Sequence, residues 1–386
     1  MQNTVQPLLA YRISERPFDL GLISFALTLP TLILALPGGV LVEHWDKRKA
    51  IIGLQAVMMV DTFALAALTL LGIIQVWHII LLSLILGIAT AFEITARQAM
   101  LIELVGREAL PNAIALQSTA FNLSRVLGPS LAAAMLLLVP NNGEGLIFTL
   151  NGISFLTIII SLLFVRVLYK TQPPPRTGPL IHEFLEGGRY LSTNKSVGLL
   201  IVIAGILGLF AFPIIQQLPV LSKDILAQAG DTKSAVDARN SALYIAQGVG
   251  ALIASFSIAM NNSVETRGRR LILGEMAFLL GMIYLAFLTS LLPAILTIAI
   301  MGWGSVTQLA TMNTLIQLQV PDQLRGRVFS IYLWALQGVA PLGSLLVGWM
   351  TQTWSFPATA FTCGVVCLLG VGGIQVLYPS IRKSVA

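Results

Sequence analysis

Apolar residues in this chain come in blocks of about 20, one after another, separated by short polar or basic stretches. A helix rising 1.5 Å per residue needs about 20 residues to cross a hydrocarbon layer about 30 Å thick. Within lipid a helix satisfies its own backbone polar groups, so such blocks in series read as membrane-spanning helices. Composition agrees, since 56% of the 386 residues are hydrophobic and 10% are charged. A water-soluble domain could not hide that much apolar surface. The expected class is an all-α polytopic membrane protein.

The blocks predict eleven full spans, at about 18–42, 50–73, 77–99, 112–139, 146–165, 196–221, 240–260, 271–289, 293–314, 327–350 and 357–379. Before them, Met1 to Tyr11 is an apolar-leaning stub that reaches about half-way across a bilayer and reads as the second half of a twelfth span. It opens with polar Gln2, Asn3 and Gln6 and lacks the pattern of a signal peptide. The functional protein is therefore expected to start further upstream.

Lys and Arg resist translocation, so their loop-by-loop distribution predicts orientation. Alternate loops carry Lys47, Arg48 and Lys49; Arg97 and Arg107; five bases between Arg166 and Lys195; Arg267, Arg269 and Arg270; Arg325 and Arg327; and Arg382 and Lys383. These are 17 bases, against five in the opposite loops (Arg12, Arg16, Lys223, Lys233 and Arg239). The reading is a protein of the cell (inner) membrane with a cytoplasmic C-terminus, and Arg125 as the only base deep in a span. Because the bases are split among loops, the net charge of +6 reads as a topology signal and not as a nucleic-acid surface.

Other chemistry is sparse. Cys363 and Cys367 read as small buried hydrophobes, and His44, His78 and His182 lie in separate loops with no ligand-like spacing, so no metal site is expected. No phosphate-cradling Gly-x-x-x-x-Gly-Lys loop occurs, and no His, Asp or Ser cluster marks an enzyme. No cofactor is expected.

The chain also echoes itself. Leu101 to Leu110 aligns with Leu315 to Leu324 at an offset of 214, and Gly128-Pro129 falls opposite Ala340-Pro341. Two parallel repeats follow, divided by the long basic loop with its four prolines. The expected domains are a first bundle over 1–165, a cytoplasmic linker over 166–195 and a second bundle over 196–386.

Particular strings carry a family likeness. Gly39-Val-Leu-Val-Glu43-His44-Trp-Asp46-Lys47-Arg48-Lys49 is a glycine, an acid and clustered bases after the first full span, although Glu43 and His44 stand where Asp and Arg are usual. Val320-Pro321-Asp322-Gln-Leu-Arg325-Gly326-Arg327-Val328 occupies a similar place in the second half. With Asn122-Leu-Ser-Arg125-Val-Leu-Gly128-Pro129, these strings resemble the major facilitator superfamily, in the exporter branch that handles drugs, macrolides and siderophores such as enterobactin. The resemblance implies two pseudo-symmetric six-helix bundles with the first helix truncated. It further implies a monomer exporting a small organic molecule by alternating access, with protons as the coupling ion. An importer or facilitator of the same fold, or a membrane scaffold or sensor, remains as an alternative.

Candidate residues follow. Ionisable groups at bilayer depth cost about 2.5–3.5 kcal/mol on insertion scales, so each needs a partner or a purpose. Arg125, beside Asn122, either binds substrate or pairs with Glu93 or Asp61. Glu93 and Arg97 are four apart on one face, for structure or for proton coupling. Asp61 is mid-span and is a proton-carrier candidate. Gln247, Gln308, Asn313 and Gln337 are the polar candidates of the second half, as helix cement or substrate ligands. The gating candidates are Gly39, Glu43, Asp46, Lys47, Arg48 and Lys49 with Asp322, Arg325, Gly326 and Arg327, and Gly128, Pro129 and Pro341 are the packing candidates.

Overall fold

The computed structural model describes residues 1–43, 45–139, 142–165, 188–260 and 267–378. Side chains at 35–43 and at scattered positions within 102–125 and 322–326 lie outside the description. The described chain is helical and contains no strand. In order it runs α1 (Gln2–Ser14), α2 (Pro17–Glu43), α3 (Lys47–Leu70), α4 (Val76–Leu138), α5 (Gly143–Phe164), α6 (Lys195–Ile206), α7 (Lys233–Met260), α8 (Arg267–Leu285), α9 (Leu291–Gln319), α10 (Asp322–Leu333), α11 (Ala340–Thr353) and α12 (Phe356–Leu377). Among the described residues, nine helical stretches are long and apolar enough to cross a membrane.

Helix starts are written in local chemistry. Asp46 caps α3 by accepting from the Lys49 N–H at 3.1 Å, Asn194 caps α6 from Val197, and Ser355 caps α12 from Ala358. Each satisfies one of the N–H groups left free in a first turn. At the start of α4, the Gln75 N–H donates to Nδ1 of His78 at 3.0 Å, a local task for that histidine.

Two spans are not uniform helices. After α6 the chain continues through a wide turn (Leu207–Ala211), a tight 3-10 stretch (Phe212–Gln217) and another wide turn (Leu221–Ile225). Pro213 and Pro219 remove N–H donors there and break the regular ladder. Between α10 and α11 a third wide turn, Trp334–Gly338, precedes Pro341 in the first turn of α11.

Glycines set the closest crossings, as expected where lipid supplies no hydrophobic drive between helices. A Cβ on Gly87 would stand 2.2 Å from the Leu27 carbonyl, joining α2 to α4, and one on Gly302 would stand 2.2 Å from the Gln247 carbonyl, joining α7 to α9. Each half of the chain thus has one such crossing, between α2 and α4 and between α7 and α9.

Several boundaries differ from expectation, although the break predicted between 99 and 112 is present, since Gly106, with non-helical φ 71° and ψ 176°, divides α4 into two helices. That backbone is essentially reserved for glycine, so one residue ends one helix and starts the next. At the equivalent place in the second half, α9 ends at Gln319 and Pro321 precedes α10. The sixth span runs to Ile225, and α7 starts at Lys233, seven residues before the predicted 240. Lys223, Lys233 and Arg239, counted as loop bases, therefore belong to helical segments. Arg239 is 5% exposed, so a base that the loop count placed outside the spans is buried. The structure buries Arg239 at little cost because Asp231 and the Ser222 carbonyl hold it, each within 2.8 Å. The linker residues 166–187 lie outside the described residues.

Candidate functional site

Polar and charged side chains gather where the two parts of the chain meet, at the helix ends opposite the basic loops. Arg12, in the last turn of α1, donates through one guanidinium nitrogen to Glu144 at the start of α5 and through another to Asp237 of α7. Lys233 closes the group onto Glu144 at 3.0 Å. Two bases meet two acids, and the side chains of Glu144 and Asp237 are only 5% and 2% exposed. Arg12 suits the junction because its planar guanidinium serves two carboxylates at once.

Around this centre the same two parts touch repeatedly. The Tyr11 hydroxyl donates to Asp224, and Lys223 pairs with Glu15 at 2.8 Å. The Phe18 N–H donates to Gln352 Oε1 at 3.2 Å, Gln217 donates to the Pro17 carbonyl, and Asn240 donates to the Thr4 carbonyl. Deeper in, Ser24 and Ser344 share a hydrogen bond at 3.0 Å. Gly21 packs so closely that a Cβ there would lie 2.3 Å from the Ser344 carbonyl. This end of the molecule is sealed by charge outside and by small residues inside.

At the basic end, Lys47, Arg48 and Lys49 make contacts within the first part. Lys47 pairs with Glu103 at 3.6 Å. Arg48 donates to the carbonyls of Leu162 and Leu163, the terminal acceptors of α5, at 2.8 and 2.6 Å. Lys49 is an exposed neighbour of Asp46. The side chains of Gly39, Glu43, Asp322, Arg325 and Gly326 lie outside the described residues, whereas Arg327 is partly buried in α10.

The intramembrane candidates are dispersed. Glu93 is bonded to Arg97 at 3.3 Å and accepts from Gln55 at 3.5 Å. Asp61 is 4% exposed, and neither oxygen has a hydrogen-bond donor among the described residues. Asn122 and Arg125 have side chains outside the described residues. Gln308 is fully buried against Gly274, with both amide ends unpaired. Gln247 offers its carbonyl to the Gly302 contact, Asn313 accepts from Gln317, and Gln337 is exposed in the wide turn before α11. Pro129 and Pro341 are buried, and Gly128 lies close to the amino group of Met1.

Sequence reasoning missed Arg12, Glu144, Asp237 and Lys233, which it treated as loop residues or passed over. It also missed Glu275, fully buried in α8 and hydrogen-bonded at 3.1 Å by the Gln375 amide from α12. The available signal was the set of acids on the side with few bases, where Glu15, Glu144, Asp224, Asp231 and Asp237 stand near Arg12, Lys223, Lys233 and Arg239.

A bundle of kinked, glycine-packed helices, joined at one end by ion pairs between its two parts, has the architecture of a membrane transporter of the major facilitator fold. The chain belongs to the transmembrane secretion effector family, whose model matches residues 1–384. It is 23% identical to the multidrug efflux pump Tap of Mycolicibacterium fortuitum, over 98% of this chain and 91% of that protein. It is 26% identical to the enterobactin exporter EntS of Escherichia coli O1:K1 / APEC, over 86% of this chain and 78% of that protein. Two solved structures share the fold. The nucleoside transporter NupG has TM-score 0.70 at 11% identity, covering 98% of this chain and 94% of that one. A bacterial homolog to the human lysosomal transporter Spinster, in an inward-facing and occupied conformation, has TM-score 0.68 at 14% identity, covering 100% of this chain and 93% of that one. The chain is thus an integral membrane transporter of small molecules and not an enzyme, as its sequence led us to expect.

Proposed function

We propose that this chain exports a small, amphiphilic organic molecule from the cell by alternating access between bundles 1–165 and 196–386, driven by inward proton movement. The observation that carries the reading is Arg12, which ties Glu144 of the first bundle to Asp237 of the second. A permanent structural joint would not need ions here, since a buried ion pair is on average no better than apolar packing. Charges that pair in one state and meet water in another suit a seam that opens and closes.

Orientation supports the direction. With 17 bases on one side and five on the other, the Arg12 seam faces outward and the basic motifs face the cytoplasm. The arrangement is then outward-closed, the state in which an exporter loads from inside. The names of Tap and EntS favour efflux of drug-like or siderophore-like compounds over import. Arg125 and Asn122, on the limb of α4 after Gly106, are proposed to meet the substrate, and Glu93 with Arg97 to take part in coupling. The Asp46–Lys49 and Asp322–Arg327 strings are proposed as the inner counterpart of the Arg12 seam.

Uptake into inverted membrane vesicles tests this. Vesicles energised with a proton gradient should accumulate a compound from a panel of siderophores and amphiphilic drugs, and should lose it on addition of a protonophore. Accumulation in right-side-out vesicles alone would make the chain an importer.

A further inference from the structure

The geometry points to a second binding site, on the lipid-facing side of the first bundle, for a monovalent amphiphilic cation that enters from the membrane and pairs with Asp61. A groove of about 400 Å³ runs between α3 and α4, walled by Ala56, Val57, Val60 and Ala64 on one side and Leu82 and Ile85 on the other. Val57, Val60 and Ile85 are 45%, 64% and 36% exposed, so the groove opens towards lipid. Among the described residues, Asp61 is the one ionisable residue lining it, 4% exposed and with no donor to either oxygen.

A purely structural acid would be expected to join the polar network next to it, and Asp61 does not. Thr62 donates to Gln2 at 3.4 Å, Asn151 donates to Gln2 at 2.7 Å, Gln2 to Gln6 at 2.8 Å, and Gln6 to Ser83 at 2.8 Å. That network ties α1, α3, α4 and α5 together and is complete without Asp61.

Depth identifies the occupant. Asp61 is 14 residues along α3 from Lys47 and nine from Leu70, about 21 Å and 14 Å from the two ends at 1.5 Å per residue. A phospholipid headgroup does not reach that depth, whereas a cation carried on an apolar body does. The apolar walls take the body, and the carboxylate takes the charge.

A lone charge at bilayer depth is costly, so an ionised Asp61 carboxylate needs a cation beside it. A cation entering the groove therefore displaces one proton from the Asp61 carboxyl to the aqueous phase and leaves a carboxylate paired with the ligand. The charged groups described on the neighbouring helices have other partners. Glu93 is with Arg97, Glu103 with Lys47, and Glu144 with Arg12 and Lys233; His78 is tied to Gln75, and the Met1 amino group lies by Gly128. The inference deepens the export reading, since it names a cationic substrate class and a lateral entry, but the site itself is defined by binding alone.

The test is equilibrium binding of radiolabelled tetraphenylphosphonium to the full chain in phosphatidylcholine nanodiscs between pH 5 and 8.5. Saturable binding should strengthen with pH by up to about tenfold per unit while the carboxyl titrates. Asp61→Asn should bind at least tenfold more weakly and without pH dependence, Asp61→Glu should keep the pH dependence, and Ala64→Phe should block the groove with the acid intact. Binding that is absent, independent of pH, or unchanged in Asp61→Asn overturns the site. If Asp61→Asn does not fold, the wild-type pH series and Ala64→Phe decide. Because no transport is measured, pH-linked binding by a chain that moves no solute would defeat the export reading and leave the site standing.

Discussion

Arg12 and Asp237 are 225 positions apart in sequence, yet the guanidinium of one donates directly to the buried carboxylate of the other. The same guanidinium also serves Glu144, so a single side chain bridges two acids that are otherwise nearly closed to water, with Lys233 supplying the second positive charge. The exposed Lys223–Glu15 pair, with Glu15 at 74% exposure, contributes far less, because solvent and salt screen it. Arg12 decides the seam.

Removing one partner from a buried charge pair costs about 3–5 kcal/mol, since it strands the other charge. Arg12→Ala should therefore shift the population away from the closed seam by about a hundredfold or more, at about 1.4 kcal/mol per tenfold. Spin labels on α1 and α7 would then report a wider separation than in wild type. Unchanged label distances would show that the ion pair does not hold the state.

The apolar layer beneath makes a separate prediction. A Cβ at Gly21 meets the Ser344 backbone carbonyl, which has little room to retreat, while a Cβ at Gly53 meets nothing within 4 Å. Gly21→Val should lower efflux at least tenfold while the protein still reaches the membrane, and Gly53→Ala should be neutral. Equal effects from both would mean that the α2–α11 crossing is not part of the moving seam.

Arg48 is expected to act as a structural staple. Its two hydrogen bonds cap the terminal carbonyls of α5, and bonds from a charged donor contribute about 1.5–3 kcal/mol. Arg48→Ala should lower the melting temperature of the detergent-solubilised protein by several degrees, with Arg48→Lys intermediate. A melting curve identical to wild type would leave Arg48 as a topology signal only.

Much of this was legible in the sequence, and the limit has a physical cause. Spacing of apolar blocks is a local property, so the helical membrane class and the break that falls at Gly106 could be read directly. Bridges such as Arg12–Asp237 and Lys233–Glu144 join residues that only the fold brings together. Counting bases by loop also hid Arg239, whose burial depends on Asp231 eight residues before it.

The loop before α7 gives a pH prediction. Bonds from Arg239 and from the Gln228 N–H hold the Asp231 carboxyl below the ordinary aspartate value. A lowered folded value means that the stabilisation is present above the unfolded pKa of about 3.9 and disappears as pH falls through the folded value. Hydrogen exchange in residues 226–232 should stay constant from pH 7 to 5, after correction for intrinsic rates, and rise only below about pH 4. Asp231→Asn should be loosened throughout. A rise between pH 7 and 5 in wild type would assign the contact to another group.

The central claim is that opening of the Arg12 seam is an obligatory step of export. Glu15 and Lys223 face each other across it, and the native Cys363 and Cys367 are buried at 1% and 0% exposure, out of reach of a polar reagent. A Glu15→Cys, Lys223→Cys protein bridged by a short, reducible bis-thiol reagent is locked with the seam closed. Efflux should fall to background on cross-linking and return on reduction, while either single-cysteine protein treated alike should transport normally. Undiminished efflux by the fully cross-linked protein would contradict the account.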